Sequence, residues 1–360
     1  MADQERNFRT HYYEKVGFRA VEEKKSIEIL LKEQPIKQEK LIQFCLRFGV
    51  PAMYRIYVWK IILGILPVNQ SNQEYVWDHR EAHVEDLEKA TILLAPHSIH
   101  APKEYKMLQM KLIDEGLLPV EEVNQDDVNE RDNIFLSIAG AVNSLVSSDV
   151  DLFWISTRFY KHISQSFYSS MQQFPDYMMQ CLKKEEQGLR LYQHLNDHHV
   201  LTALPLMEWF HTCYANVLPE TALERIWDRV LGGSSAILIY IAVAIFLVLR
   251  RPLLALQSTQ EMVNYLKQIP EDCGDRIVNE ALDLLHKNAG QFPIKPDSPA
   301  NESGRNSAKS LSDGGLSKPP HVKSRQGSID GNADKSLRSM IDSRSVLADF
   351  GRKSPGDKNV

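Results

Sequence analysis

The sequence predicts an all-α fold, a multi-helix domain followed by a disordered C-terminal tail, and three observations carry that expectation. Apolar residues recur at helical spacing in one segment after another, and almost nothing alternates with a period of two over a strand's length. The segments are punctuated by Pro, Gly and Ser/Thr-x-x-Glu signals. Composition divides the 360 residues in two: Gln291 to Val360 holds 12 Lys+Arg, 8 Asp+Glu and 13 Ser, so +4 of charge sits in the tail and −9 in the other 290 residues. Too few apolar side chains remain in the tail to offset the entropy of ordering it, whereas the body is rich enough for one large core.

In order along the chain, residues 22–32 (EEKKSIEILLK) put Ile27, Leu30 and Leu31 on one stripe, closed by Pro35. Leu41, Phe44, Cys45 and Phe48 repeat the i, i+3, i+4, i+7 pattern, with Gly49 in the usual position after a helix. Pro51 opens a helix over 52–66, where its missing N–H is no loss. Ser71-x-x-Glu74, Thr221-x-x-Glu224 and Ser258-x-x-Glu261 read as capping boxes. The stretches 95–102 (APHSIHAP) and 117–133 (LLPVEEVNQDDVNERDN) read as loops or insertions. Ala236 to Leu249 is an apolar run of 14 residues, too short for a bilayer core of about 30 Å, and reads as a buried helix. In the tail, Asp334 to Phe350 spaces Leu337, Met340, Ile341 and Leu347 for a short amphipathic helix, against the alternative that it never folds.

Several classes of function fall away. Cys45, Cys181, Cys213 and Cys273 include no C-x-x-C, which argues against a disulfide framework or a cysteine zinc site and for a reducing, intracellular compartment. Met1 to Thr10 has no apolar segment for a signal peptide, and no transmembrane segment is expected. The acidic body argues against nucleic acid as a partner. His194 and His198 have helical i, i+4 spacing but no H-E-x-x-H glutamate and no nearby cysteine, so they read as a solvated face, and neither a metal nor a cofactor is expected. Ser328, three residues after Arg325, and the proline-directed Ser354 are candidate phosphorylation sites, where about two negative charges would reverse the tail's local sign.

The informative residues are large aromatics paired with charges at fixed offsets. Gly49-Val50-Pro51-x-x-x-Arg55-x-x-x-Trp59 crosses a loop-to-helix junction and puts Arg55 and Trp59 on one helix face, where the guanidinium can lie over the indole. Asp151-Leu152-Phe153-Trp154 follows, then Glu208-Trp209-Phe210, Val217-Leu218-Pro219, Leu223-x-x-Ile226-Trp227-Asp228 and Gly232-Gly233. In that order these residues resemble the TBC domain, the all-helical module of Rab GTPase-activating proteins. The resemblance implies N-terminal helices over 1–48, a TBC domain over 49–250, C-terminal helices of the same unit over 251–290, and a Ser-rich basic tail over 291–360. It assigns Gly49, Pro51, Arg55, Trp59, Phe153, Trp154, Trp209, Phe210, Pro219, Trp227 and Asp228 to holding the helical core.

A catalytic TBC domain is similar to other GTPase activators in supplying charge, through an Arg in I-x-x-D-x-x-R and a Gln in Y-x-Q; such an Arg is worth roughly 10³ to 10⁵ in rate. No Tyr here is followed two places later by Gln. The Gln is expected near 133–138 (NIFLSI) and the Arg within 112–119 (LIDEGLLP), and neither segment holds the required residue. Arg131 is the one arginine placed to substitute, against a reading as a solvated loop charge among Asp126, Asp127, Glu130 and Asp132. The stretch from Asn7-Phe8-Arg9 through Val16-Gly17-Phe18-Arg19 is similar to the branch of the family that serves as the small third subunit of the tuberous sclerosis complex. That resemblance implies a non-catalytic adaptor bound to the C-terminal coiled coil of hamartin, together with tuberin. The assembly activates GTP hydrolysis on Rheb and restrains mTOR growth signalling from the cytoplasm, at lysosomal membranes or cytoplasmic vesicles. The alternatives are an atypical activator of a Rab GTPase in vesicle trafficking and a Rab-binding adaptor without hydrolysis.

Overall fold

The computed structural model describes residues 22–96, 100–117 and 129–288, and these contain α-helices and short 3-10 turns with no strand. The helices are α1 (22–32), α2 (Gln38–Arg47), α3 (Ala52–Ile62), α4 (Gln73–Leu94), α5 (Lys103–Asp114), α6 (Glu130–Leu145), α7 (Asp149–Ser166), α8 (Tyr168–Met171) and α9 (Phe174–Lys184). They continue with α10 (Gly188–Asp197), α11 (Val200–Ala203), α12 (Leu206–His211), α13 (Glu220–Leu231), α14 (Ala236–Val248), α15 (Arg250–Ala255), α16 (Thr259–Lys267) and α17 (Gly274–Lys287).

The apolar run at Ala236 is α14, buried from Ile237 to Phe246. A helix apolar on every side must be surrounded, and α17 and α9 pack against it, each contributing one stripe: Ile277, Val278, Ala281 and Leu284 from the first, Phe174, Met178, Cys181 and Leu182 from the second. Residues beyond 250 therefore belong to the same core, which also takes in Leu253, Met262 and Leu266. Amphipathic α13 joins this core to a smaller one formed by Ile27, Ile36, Leu41, Phe44, Val58 and Ile61 of the N-terminal helices. Gly188 opens α10 at a close crossing: a Cβ there would lie 1.8 Å from the Leu182 carbonyl oxygen.

Local signals mark several helix ends incorrectly. Ser71 lies in a 3-10 turn, Gln70–Asn72, whose cap is Asn69, and α4 starts afterwards at Gln73. Thr221 is already inside α13, whose N-cap position is Pro219, and Glu224 is drawn to Arg55. Ser258 does occupy the N-cap of α16, but its side chain makes no capping bond. Helix α3 ends at Ile62, short of 66, because Gly64 turns through φ 67° and the Ile65 and Leu66 N–H groups both return to the Lys60 carbonyl. Gly49 is not left-handed; the chain leaves α2 through an extended Phe48.

The first predicted loop lies between α4 and α5. The second ends earlier than expected, because Asn129 accepts the Asp132 N–H at 2.9 Å and starts α6 at Glu130; residues 118–128 lie outside the described ones. Arg131 is thus a first-turn helix residue rather than a loop charge. His194 is no solvated residue either: its Nε2 lies 3.1 and 3.0 Å from the Leu253 and Leu256 carbonyls, tying α10 to the end of α15. The Asp334 to Phe350 segment, Ser328 and Ser354 lie outside the described residues.

Candidate functional site

Asp228 on α13 gathers the aromatic-and-charge signature around one carboxylate. It is fully buried and accepts from the Val50 N–H at 3.0 Å, Trp59 Nε1 at 2.8 Å and Arg55 Nε at 3.4 Å. Arg55 also donates to the Val50 carbonyl at 2.7 Å and to Glu224. Arg55 and Trp59 share a face of α3, as their spacing requires, and meet through Asp228. Burial pushes the Asp228 carboxyl up to about 6, with Arg55 and the two other donors pulling the other way. Behind it Trp227 stacks on Phe159 at 4.2 Å and donates to the Cys213 carbonyl at 3.0 Å. Gly49 and Pro51 form the junction into α3, Pro219 starts α13, and Phe153, Trp154, Trp209 and Phe210 are buried in the main core. These residues form a packing network, with no reacting group presented to solvent.

The segment where a glutamine finger is expected opens α6 and lines a groove of about 650 Å³. Asn133, Ile134 and Ser137 face it from α6, and the carboxylates Glu104, Glu130 and Glu208 surround it; its lining contains no Lys or Arg. Three acids would repel nucleotide phosphates. Arg131 lines a smaller cavity, about 230 Å³, with Tyr160, Tyr168 and His211. Just before the segment where an arginine finger is expected, Lys111 is buried, bonded to Glu115 at 2.8 Å and placed 5.5 and 5.3 Å from the Phe135 and Tyr160 ring centroids.

His211 borders both cavities and was not marked by any sequence pattern. It is buried and stacks on Tyr168 at 4.5 Å, and both ring nitrogens lack a hydrogen-bond partner. Desolvation lowers its pKa, so at neutral pH the ring is uncharged and its 3.7 Å approach to Glu130 is no ion pair. Downstream, Cys213, Tyr214 and Asn216 all have left-handed backbone, with φ of 49°, 65° and 63°. Such a run is unfavourable by about 1–2 kcal/mol per residue; the bonds of Trp227 to Cys213 and of Tyr214 Oη to the Leu238 carbonyl hold it in place. The i, i+4 pairing of Lys111 with Glu115 was legible in the sequence; the backbone strain was not.

A different surface is apolar and exposed. Ile92, Leu93 and Leu94 end α4 consecutively, and Leu93 is 80% exposed. Tyr75 is exposed on the same outward stripe of the helix as Leu93, eighteen residues and roughly 27 Å earlier. Between them the outward side carries Asp78, Glu81, Glu85, Asp86 and Lys89.

The helical architecture, the buried Arg55–Asp228–Trp59 network and the ordered aromatic segments define the class of protein: the chain belongs to the TBC domain family. The Rab-GTPase-TBC domain model matches residues 134–254, from the groove on α6 to α15. TBC1 domain family member 7 of Homo sapiens is 40% identical over 288 residues, covering 80% of this chain and 97% of that protein. The Bos taurus protein of the same name is 39% identical with the same coverage. The crystal structure of the Ypt/Rab-GAP domain of Gyp1p superposes with a TM-score of 0.52 at 17% identity, covering 74% of this chain and 98% of that one, which supports the fold alone.

Proposed function

We propose that the chain is a non-catalytic TBC-domain adaptor, a subunit of the hamartin–tuberin complex that activates GTP hydrolysis on Rheb and restrains mTOR growth signalling. The observation that carries the reading is the groove at the start of α6. Where the family's chemistry needs a glutamine and an arginine beside a nucleotide, it presents Asn133, Ile134 and Ser137 among three carboxylates. The likeness to TBC1 domain family member 7 over most of the chain supports the same assignment.

For a partner surface, the outward face of α4 fits best. These consecutive exposed apolar residues take no part in the described core, and a long helix laid along α4 would cover Tyr75 and Leu93 together. The acids between them call for basic residues flanking the partner's apolar stripe, a pairing expected of a coiled coil such as the C-terminal one of hamartin. Attachment through that partner would bring the chain to lysosomal or vesicle membranes, as no described helix is long and apolar enough to cross one.

Arg131 in the cavity beside the groove favours a second reading, an atypical Rab activator. Two measurements separate them: capture of the full chain by the hamartin coiled coil, and GTP turnover by a Rab panel. Capture with unchanged turnover is expected. Acceleration above about tenfold that Arg131→Ala abolishes would sink the adaptor reading.

A further inference from the structure

Two arginines and two histidines gather around Trp154, in a body whose net charge is −9. Arg80 on α4 lies 4.1 Å from the indole centroid and Arg158 on α7 lies 5.6 Å from it, with the His83 ring at 5.5 Å. With His79 they border a cavity of about 400 Å³. Asp114 is the one acid in its lining, and Asp114 is already engaged, its Oδ1 2.8 Å from His83 Nε2. Among the described residues neither arginine forms an ion pair, and Arg80 Nε is buried without a hydrogen-bond partner. Desolvation first, and the neighbouring Arg158 second, hold the Arg80 guanidinium below its ordinary value.

Two adjacent guanidiniums that share a single carboxylate, Asp114, and keep an unused donor form an arrangement that a further anion would relieve. A single carboxylate would occupy one arginine fork. A phosphate monoester carries about two negative charges and three acceptor oxygens, enough to bridge both forks and the imidazole edges. We propose that this cavity binds a phosphate group, presented by a small phosphorylated molecule or by a phospholipid headgroup. The site is distinct from the groove on α6, whose carboxylates would exclude the same ligand, and it adjoins the exposed face of α4 through His79, whose ring meets Tyr75 at 4.5 Å.

The test uses the full chain labelled with ¹⁵N and follows the Trp154 indole N–H, identified by its loss in Trp154→Phe. That N–H donates to the Arg80 carbonyl at 3.2 Å and so reports on Arg80. The probes are inorganic phosphate and glycerol 3-phosphate, against sodium chloride at equal ionic strength. In parallel, flotation is measured with phosphatidylcholine vesicles with and without phosphatidylinositol 4-phosphate. A saturable shift specific to the free phosphates identifies a soluble ligand; flotation that needs the headgroup, without such a shift, identifies the lipid source. In either case Arg158→Gln should weaken binding at least about tenfold, and Arg158→Lys, which keeps the charge and loses the fork, should lie between Gln and the parent. Thermal unfolding confirms that both variants remain folded. A shift identical to that of sodium chloride with no flotation, or an Arg158→Gln chain that binds like the parent, overturns the proposal.

Discussion

Replacing Leu93 by alanine separates binding at the proposed docking face of α4 from the stability of the domain. The substitution removes three carbons, worth about 2.4 kcal/mol if fully transferred from water to a packed interface at about 0.8 kcal/mol each. Leu93 is 80% exposed in the free chain, so a partner that covers it can recover about 1.9 kcal/mol of this, a loss of roughly 25-fold in affinity on truncation. The same exposure limits the effect on the free chain to about 0.5 kcal/mol, little enough to leave the thermal midpoint within about 2 °C. Calorimetric titration of the full chain with the hamartin coiled coil, beside thermal unfolding of each variant alone, measures both quantities. An affinity within twofold of the parent would place the partner elsewhere on the domain. A lowered midpoint with weakened binding would show that Leu93 supports the fold instead.

The buried network makes stability depend on pH. Because burial raises the Asp228 carboxyl from 3.8 to about 6, the folded chain binds this proton more tightly than the unfolded chain: the contribution is complete below about pH 4 and is lost as pH rises through 6. The stability difference between the parent and Asp228→Asn, from urea unfolding, should shift against the parent by about 2 kcal/mol between pH 4 and 7.5; a constant difference would rule out this titration. Gly188→Ala should lower stability by about 2–3 kcal/mol or more, since its Cβ would overlap the Leu182 carbonyl and only backbone movement can relieve it; an unchanged denaturation midpoint would contradict this crossing. All four cysteines are buried, with burial raising each thiol and bringing Cys181 to about 11, so a disulfide-exchange reagent at pH 8 should label the folded chain far more slowly than the denatured one; rapid native labelling would disprove that burial.

The parts of the fold legible in the sequence are those that depend on periodicity. Helix α14 was readable because an uncharged run too short for a membrane has one place to go, and α2 because Leu41, Phe44 and Cys45 face a single core. Helix ends were less legible, since tertiary partners compete for the capping groups: Glu224 is taken by Arg55, and Pro219 fixes the start of α13 one residue ahead of Glu220. Arg131 read as a loop residue because acids and amides surround it, yet Asn129 converts that polarity into a helix start. The Trp154 cavity was invisible for another reason. Arg80, Asp114 and Arg158 come from three helices, and no spacing along the chain connects them.

Asp228 explains why this family signature is tied to helix packing rather than to GTPase activation. Each of its donors comes from the first 59 residues while the carboxylate itself is on α13, so the network joins the smaller N-terminal core to the main one. Removing any one partner would leave a buried donor or charge uncompensated, at about 1–3 kcal/mol for a hydrogen bond and more for the ion pair, whether or not a GTPase is ever bound. At the opening of α6, by contrast, Ser137 borders an open groove, where exchanging one polar side chain for another leaves the core intact. Agreement at Arg55, Trp59, Trp227 and Asp228 therefore reports that the helices pack in the family's way, and GTPase activation has to be judged from other residues.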